Sequence, residues 1–189
     1  MKSPRGFLAA IVFLSTLPVT ILYQKLLGNG AEVVIHLALA AGAFLLAFAV
    51  FDFNKAPKWI NWIGCIASGG LAAIFLLQGI GEYLRNDALT YFVYEILGQW
   101  LETFLQDLFF VFWCVAILLI ASQGKTKILG AIATLSVICL EVYKYSLAYL
   151  GTSLNVEAPG LKLLYLLPFV WILFESKKRI PFEQSLAII

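Results

Sequence analysis

Charged side chains are scarce in this sequence of 189 residues. They make up 13% of the chain, whereas 62% of the residues are hydrophobic, and the net charge is only +2. A soluble domain is usually about 25% charged and roughly 45–50% apolar. The composition therefore excludes a soluble enzyme, a disordered chain and a nucleic-acid binder. It predicts a protein that crosses the membrane several times, with the lipid bilayer as its main partner and no nucleic acid.

Histidine and cysteine are also rare. Cys65, Cys114 and Cys139 lie in apolar segments and form no Cys-x-x-Cys pair, which argues against a disulfide framework. His36 is the single histidine, and common metal sites recruit several His or Cys ligands. No G-x-S-x-G, His-Glu-x-x-His or phosphate-binding glycine loop occurs. We therefore expect no metal site, no cofactor and no catalytic motif.

The apolar residues cluster in long runs. A membrane-spanning helix needs about 20 mostly apolar residues, and six segments meet or approach that length. The sequence predicts an all-α fold with a single domain, 1–189, and transmembrane helices at about 6–27, 31–51, 59–80, 101–122, 128–150 and 161–175. An uncleaved first span is favoured over a signal peptide because no convincing cleavage site follows it.

The basic residues indicate the orientation. With six spans, nine of them fall on one side of the membrane: Lys2, Arg5, Lys55, Lys58, Lys125, Lys127, Lys177, Lys178 and Arg179. The other side holds Lys25, Arg85, Lys144 and Lys162. By the positive-inside rule, both termini are predicted to be cytoplasmic. Short loops and the absence of Asn-x-Ser/Thr sequons fit a bacterial inner membrane.

The segment 88–100 has the pattern of an amphipathic helix. Leu89, Val93 and Trp100 belong to one apolar stripe, and the opposite side is polar. Two interpretations remain open. We favour a helix that lies on the outer membrane surface and turns at Gly98 into the fourth span. The alternative is a continuous helix of about 35 residues that includes the fourth span.

Acidic residues concentrate in the outer half of the predicted bundle, where eight of the eleven fall. An ionised side chain in hydrocarbon costs roughly 2.5–3.5 kcal/mol on insertion scales, so these groups are expected to face the interior or water. We predict an acidic polar cavity that opens outward, with Glu32, His36, Glu102, Gln106, Asp107, Glu141 and Lys144 as ligand- or ion-binding residues.

Other details of this outer half follow from spacing. Glu141 and Lys144 are three apart and are expected to pair. Glu82 and Glu95, like Glu32, are expected at a solvated rim.

The cavity is expected to be closed below by the third span together with the aromatic residues Phe109, Phe110, Phe112 and Trp113. Small residues at four-residue spacing, such as Gly64, Ser68 and Ala72, predict close packing of the second and third spans.

Three functions are compatible with this pattern. The first is a small transporter, or the substrate-binding membrane subunit of a transport complex. In it Asp107 and Glu141 would bind a cation, proton or amine, and Lys144 would be a counter-ion or anchor a carboxylate. The second is a non-catalytic subunit that docks another membrane protein or forms a homo-oligomer. The third, and weakest, is a membrane-embedded enzyme that modifies lipid.

Overall fold

The computed structural model describes residues 3–23, 29–53, 56–121, 125–150 and 163–177. Across these ranges the chain is helical, with short turns and no β-strand. Residues 151–162 and 178–189, and with them the beginning of the predicted sixth span, lie outside the described residues, as do Lys2, Lys25 and Lys55. The expectation of an all-helical chain is therefore confirmed for the described part.

The helices follow one another along the chain as an all-α bundle. Their bounds are α1 (Pro4–Tyr23), α2 (Asn29–Ala49), α3 (Lys58–Leu84), α4 (residues 87–121), α5 (Lys125–Leu150) and α6 (Leu166–Lys177). Short 3₁₀ turns, Val50–Asp52 and Leu163–Tyr165, follow α2 and precede α6.

Five helices, α1 to α5, are long and apolar enough to cross a membrane. The sixth, α6, has 12 residues, about 18 Å at 1.5 Å per residue, which is shorter than a hydrocarbon layer of roughly 30 Å. It is nevertheless part of the core, because Phe169, Trp171 and Ile172 are buried. The chain is thus a multi-pass, membrane-type helical protein with five candidate spans.

A two-residue turn connects α3 to α4. Arg85 adopts the left-handed conformation, with φ of 49°, and its N–H donates to the carbonyl of Glu82. The next residue, Asn86, caps α4 by accepting a hydrogen bond from the N–H of Leu89 at 3.0 Å. Because the turn is so short, α4 folds back beside α3, and Thr90 packs against Gly81.

The favoured interpretation of residues 88–100 is therefore wrong. The chain does not turn at Gly98; helix α4 is unbroken from residue 87 to residue 121. Its 35 residues span about 52 Å. The alternative of one continuous helix is the one observed, and its first part lies alongside α3.

Two stretches of α4, Phe92–Glu102 and Leu108–Cys114, are π-helical. A π-helix has i→i+5 hydrogen bonds, so positions that share a face in an α-helix diverge along it. Of the expected apolar stripe, Val93 is fully buried but Trp100 is 80% exposed. Tyr94, near the start of the first π-helical stretch, faces α2 and α3, where it contacts His36 and Glu82.

Glycines allow the central helices to approach closely. A Cβ atom on Gly64 of α3 would lie 2.3 Å from Cδ1 of Trp113, and one on Gly70 would lie 2.6 Å from Cδ1 of Leu105. These two glycines therefore accommodate side chains of α4. The expected packing of the second and third spans is confirmed as well, because α2 packs along α3 and Gly79 contacts Leu37.

Aromatic side chains fill the bundle between its centre and the Asp52 end. This aromatic core consists of Phe13, Phe53, Phe109, Phe110, Trp113, Phe169 and Trp171, which form a continuous series of ring contacts. Phe109 and Trp113, for example, stack with centroids 5.1 Å apart. Three of the four aromatic residues expected to close the cavity belong to it. Phe112 does not, because its side chain points away from the bundle and is 56% exposed.

The close contact between Gly64 and Trp113 can be tested with a matched pair of alanine substitutions. Gly64→Ala should lower the free energy of unfolding by about 1–3 kcal/mol, because the rigid indole must move to admit a methyl group. Gly69→Ala is the control, since a Cβ there meets nothing within 4 Å. Thermal unfolding in detergent measures both, and equal melting temperatures would contradict the packing.

Candidate functional site

The first polar cluster joins three helices at the Glu82 end of the bundle. His36 of α2 contacts Glu82 of α3, with Nδ1 3.0 Å from Oε2. Tyr94 of α4 donates its hydroxyl hydrogen bond to the other oxygen of Glu82, and its oxygen lies 3.5 Å from Nε2 of His36. We call these three residues the histidine cluster. It holds the first part of α4 against α2 and α3.

A second set of hydrogen bonds continues this network deeper in the bundle. Glu102 of α4 accepts one hydrogen bond from Nε2 of Gln78 and one from Nε2 of Gln106, each at 3.0 Å. Gln78 is buried on α3. The carboxylate of Glu102 is therefore held between two amides, which is how a buried acid in an apolar bundle can be stabilised.

Two expectations for this end of the bundle are corrected. His36 pairs with Glu82 rather than with Glu32, and no hydrogen bond or ion pair joins the Glu32 side chain to any residue that the structure describes. Glu82 is not at a solvated rim, because its side chain is only 9% exposed. Glu95, by contrast, is exposed, as a rim position should be.

A further polar cluster links α4 to α5 and to the turn before α6. We call it the lysine cluster, and it consists of Asp107, Glu141, Lys144, Tyr145 and Tyr165. Lys144 Nζ donates to Oδ1 of Asp107 at 2.5 Å and lies 3.6 Å from Oε2 of Glu141. Tyr145 donates to the other oxygen of Asp107, and Tyr165 donates to Oε1 of Glu141 at 3.4 Å. The expected pairing of Glu141 with Lys144 is present, but the closer partner of Lys144 is Asp107, on a different helix.

Three tyrosines of these clusters, Tyr94, Tyr145 and Tyr165, were not among the predicted site residues. The signal that could have found them is general: a tyrosine hydroxyl in an apolar segment needs a hydrogen-bond partner. Tyr94 and Tyr145 are in addition direct sequence neighbours of charged residues, Glu95 and Lys144. Their hydroxyls donate to Glu82, Asp107 and Glu141.

A cavity of about 500 Å³ lies in the middle of the bundle, lined by residues from all six helices. Most of its wall is apolar, and several members of the aromatic core, among them Phe109 and Phe169, border it. Its polar lining residues are Ser68, Gln106, Tyr143, Lys144 and Tyr165. The pocket thus adjoins both polar networks, through Gln106 and through Lys144.

This arrangement corrects the prediction of an acidic polar cavity. Among the seven predicted site residues, only Gln106 and Lys144 line the cavity within the described part of the chain. Glu102, Asp107 and Glu141 are engaged in hydrogen bonds around it instead. These acidic side chains accept hydrogen bonds from neighbouring polar side chains. The pocket itself is mostly apolar, with one cationic residue, Lys144, in its described lining.

The potential metal ligands and the cysteines are dispersed within the described ranges. No group of three or more His, Cys, Asp and Glu side chains in the described ranges is arranged to hold a metal ion. Cys65, Cys114 and Cys139 each have a free thiol there, and they lie on different helices. The arrangement is instead suited to binding a molecule that is largely apolar and has a small polar part.

The chain matches no family model, no curated protein and no solved structure. The geometry of the site is therefore the guide to function, because one fold can support many activities.

A double-mutant cycle tests the link between Asp107 and Lys144. Lys144→Met should destabilise the protein by roughly 1–3 kcal/mol, because it leaves partly buried carboxylates without a counter-charge. Adding Asp107→Asn to that variant should recover part of the loss. The coupling energy from unfolding measurements should be about 0.5–3 kcal/mol.

The control for this cycle is Lys127→Met, because Lys127 is exposed on the same helix. It should leave the unfolding free energy close to that of the unmodified protein. Strict additivity of the Asp107 and Lys144 substitutions would mean that the ion pair does not form.

Tyr94→Phe tests the histidine cluster. Removing the hydroxyl deletes the hydrogen bond to Glu82 and should cost about 0.6–2 kcal/mol, the range for hydrogen bonds between membrane helices. Tyr91→Phe is the matched control, since Tyr91 is 64% exposed one turn earlier on α4. Chemical unfolding in mixed micelles gives both values, and a larger effect at Tyr91 would contradict the cluster.

Proposed function

We propose that this protein is a small membrane transporter, or the substrate-binding membrane subunit of a transport complex, and that its site is the central cavity. The observation that carries the proposal is a pocket of about 500 Å³ inside a membrane-type helical bundle, with Lys144 in its lining. Small-molecule sites in proteins usually measure about 300–1,000 Å³ and are mostly apolar with a few polar groups.

The proposal includes a topology of six spans with both termini in the cytoplasm of a bacterium and the protein in the inner membrane. In support, α6 is integrated into the core through Trp171, and the basic residues have the uneven distribution described above. A helix as short as α6 can cross where the bilayer thins locally or where neighbouring segments complete the span. In this topology the Glu82 end faces outward.

The roles of the charged residues change accordingly. Lys144 is the group that would meet the ligand, because it lines the cavity. Asp107 and Glu141 are positioning residues, which hold the ammonium in place from the neighbouring helix and from the same helix. Retaining such a costly arrangement of ionisable groups within a membrane bundle is typical of a functional site.

Transport also requires a second conformation in which the pocket is reached from the other side. The element best suited to change is α4, since its two π-helical stretches flank Thr103–Asp107, the segment that carries Gln106 and Asp107. Stretches of this kind are frequent at functional sites in helices. Conversion of a π-helical turn to an α-helical one would rotate these side chains relative to the cavity.

Filling the cavity should abolish binding. Leu71→Trp replaces a lining side chain with a larger one and occupies part of the pocket. Ile66→Trp is the matched control, because Ile66 is on the same helix and 60% exposed. Each protein is purified from membranes and extracted with organic solvent, and the extracts are compared by mass spectrometry. We expect a lipophilic compound that accompanies the unmodified and Ile66→Trp proteins and is at least tenfold depleted from Leu71→Trp.

A release assay with the compound identified in this way then distinguishes transport from binding. Proteoliposomes loaded with it should release it faster when they contain the unmodified protein than when they contain Leu71→Trp. Co-purification without accelerated release would favour a binding subunit. Equal recovery of every lipophilic compound from the Leu71→Trp and Ile66→Trp proteins would refute the cavity as the site.

A further inference from the structure

We infer that the ligand of the central cavity is an uncharged lipophilic molecule with a hydrogen-bond-accepting oxygen, such as a ketone, quinone or ester. This inference rests on the proposed function and specifies the substrate class of the same site. It follows from three features of the cavity: its apolar wall, the charge balance around Lys144, and the state of the Ser68 hydroxyl.

The wall of the cavity selects for an apolar body. Aliphatic residues such as Leu46 and Leu71 line it together with the rings of Phe75 and Phe109. Moving a charged molecule from water into such surroundings is costly unless a counter-charge and hydrogen bonds compensate for the lost hydration. An apolar ligand pays no such penalty and could enter from the bilayer.

The charge balance near Lys144 disfavours both kinds of ion. Asp107 and Glu141 together provide one more negative charge than Lys144 neutralises when both carboxylates are ionised. An added anion would therefore meet an excess of negative charge at short range. An added cation would have to approach Lys144, which is the charged residue that the described lining contains.

A neutral oxygen atom fits this environment. The ammonium group of Lys144 carries three N–H donors and no acceptor. One donor is directed to Asp107, and Glu141 lies beyond hydrogen-bonding distance at 3.6 Å. Lys144 therefore retains a donor for a carbonyl oxygen without giving up its ion pair.

Ser68 supplies an independent indication. It lines the cavity from α3, it is 1% exposed, and its hydroxyl has no hydrogen-bond partner among the residues that the structure describes. Buried hydroxyls are normally satisfied, and an unsatisfied one needs an explanation. In this structure the Ser68 oxygen has less than 1 Å² of accessible surface. A rotation of its side chain toward the cavity would let it donate to a ligand oxygen, which would then be recognised by donors from two different helices.

Photo-labelling of the full chain in lipid nanodiscs tests the inference. Four alkyl diazirine probes of equal chain length are compared: a methyl ketone, a carboxylic acid, a primary amine and the hydrocarbon without a head group. Labelled peptides are identified by mass spectrometry at equal concentrations of probe in the membrane. We expect the ketone to label peptides that contain cavity residues at least threefold more than each of the other probes.

Two variants connect this preference to the proposed donors. Ser68→Ala should reduce ketone labelling of the cavity at least twofold, with the remaining preference due to Lys144, and leave hydrocarbon labelling unchanged. Ser136→Ala is the control, because Ser136 is a buried serine of α5 whose hydroxyl is already bonded to the carbonyl of Ala133. It should retain the full ketone preference.

The remaining outcomes separate this inference from the proposed function. Preferential labelling by the acid or the amine would overturn the inference, because it would identify an ionic ligand. Equal labelling of the cavity by all four probes would also overturn it while leaving a binding cavity in place. Labelling confined to lipid-facing peptides, for every probe, would count against both the inference and the cavity as the site.

Discussion

The close approach of α3 and α4 is the constraint on which the rest of the structure depends. Gly64 and Gly70 remove the side chains that would separate the two helices, and Trp113 and Leu105 occupy the space. Once α4 is aligned in this way, Glu102 comes within hydrogen-bonding distance of Gln78 on α3. The other face of α4 then presents its polar residues to α5. Both polar networks and the cavity that they adjoin therefore follow from the packing of two glycines.

The sequence predicts the parts of this fold that depend on apolar length and on local spacing. Long apolar runs identify five helices because the thickness of a bilayer sets a requirement that can be read directly from composition. The path of residues 88–100 could not be predicted, since an α-helical period was assumed where α4 is π-helical. The same error concealed Tyr94, whose position on the polar side was apparent but whose contact with Glu82 was not.

Spacing along the chain predicts which charged residues share a level of the bundle, but not which of them are partners. Asp107, Glu141 and Lys144 do converge, because α4 and α5 pack side by side at the level of these residues. That Lys144 pairs more closely with Asp107 than with Glu141 cannot be deduced from spacing on single helices, since the closer contact joins α4 to α5. A cavity is harder still to anticipate, because its volume is the space that six packed helices leave unfilled.

The short turn at Arg85 and Asn86 has a mechanical consequence. Two residues provide too little chain for the joined ends of α3 and α4 to separate, so movement of α4 against α3 is confined to the parts beyond this turn. Asp107 lies on α4 well beyond the turn, whereas Lys144 is carried by α5. Any motion that widens the cavity between these two helices must stretch the Asp107–Lys144 contact in surroundings of low dielectric constant. The ion pair therefore resists any separation of α4 from α5 at this level.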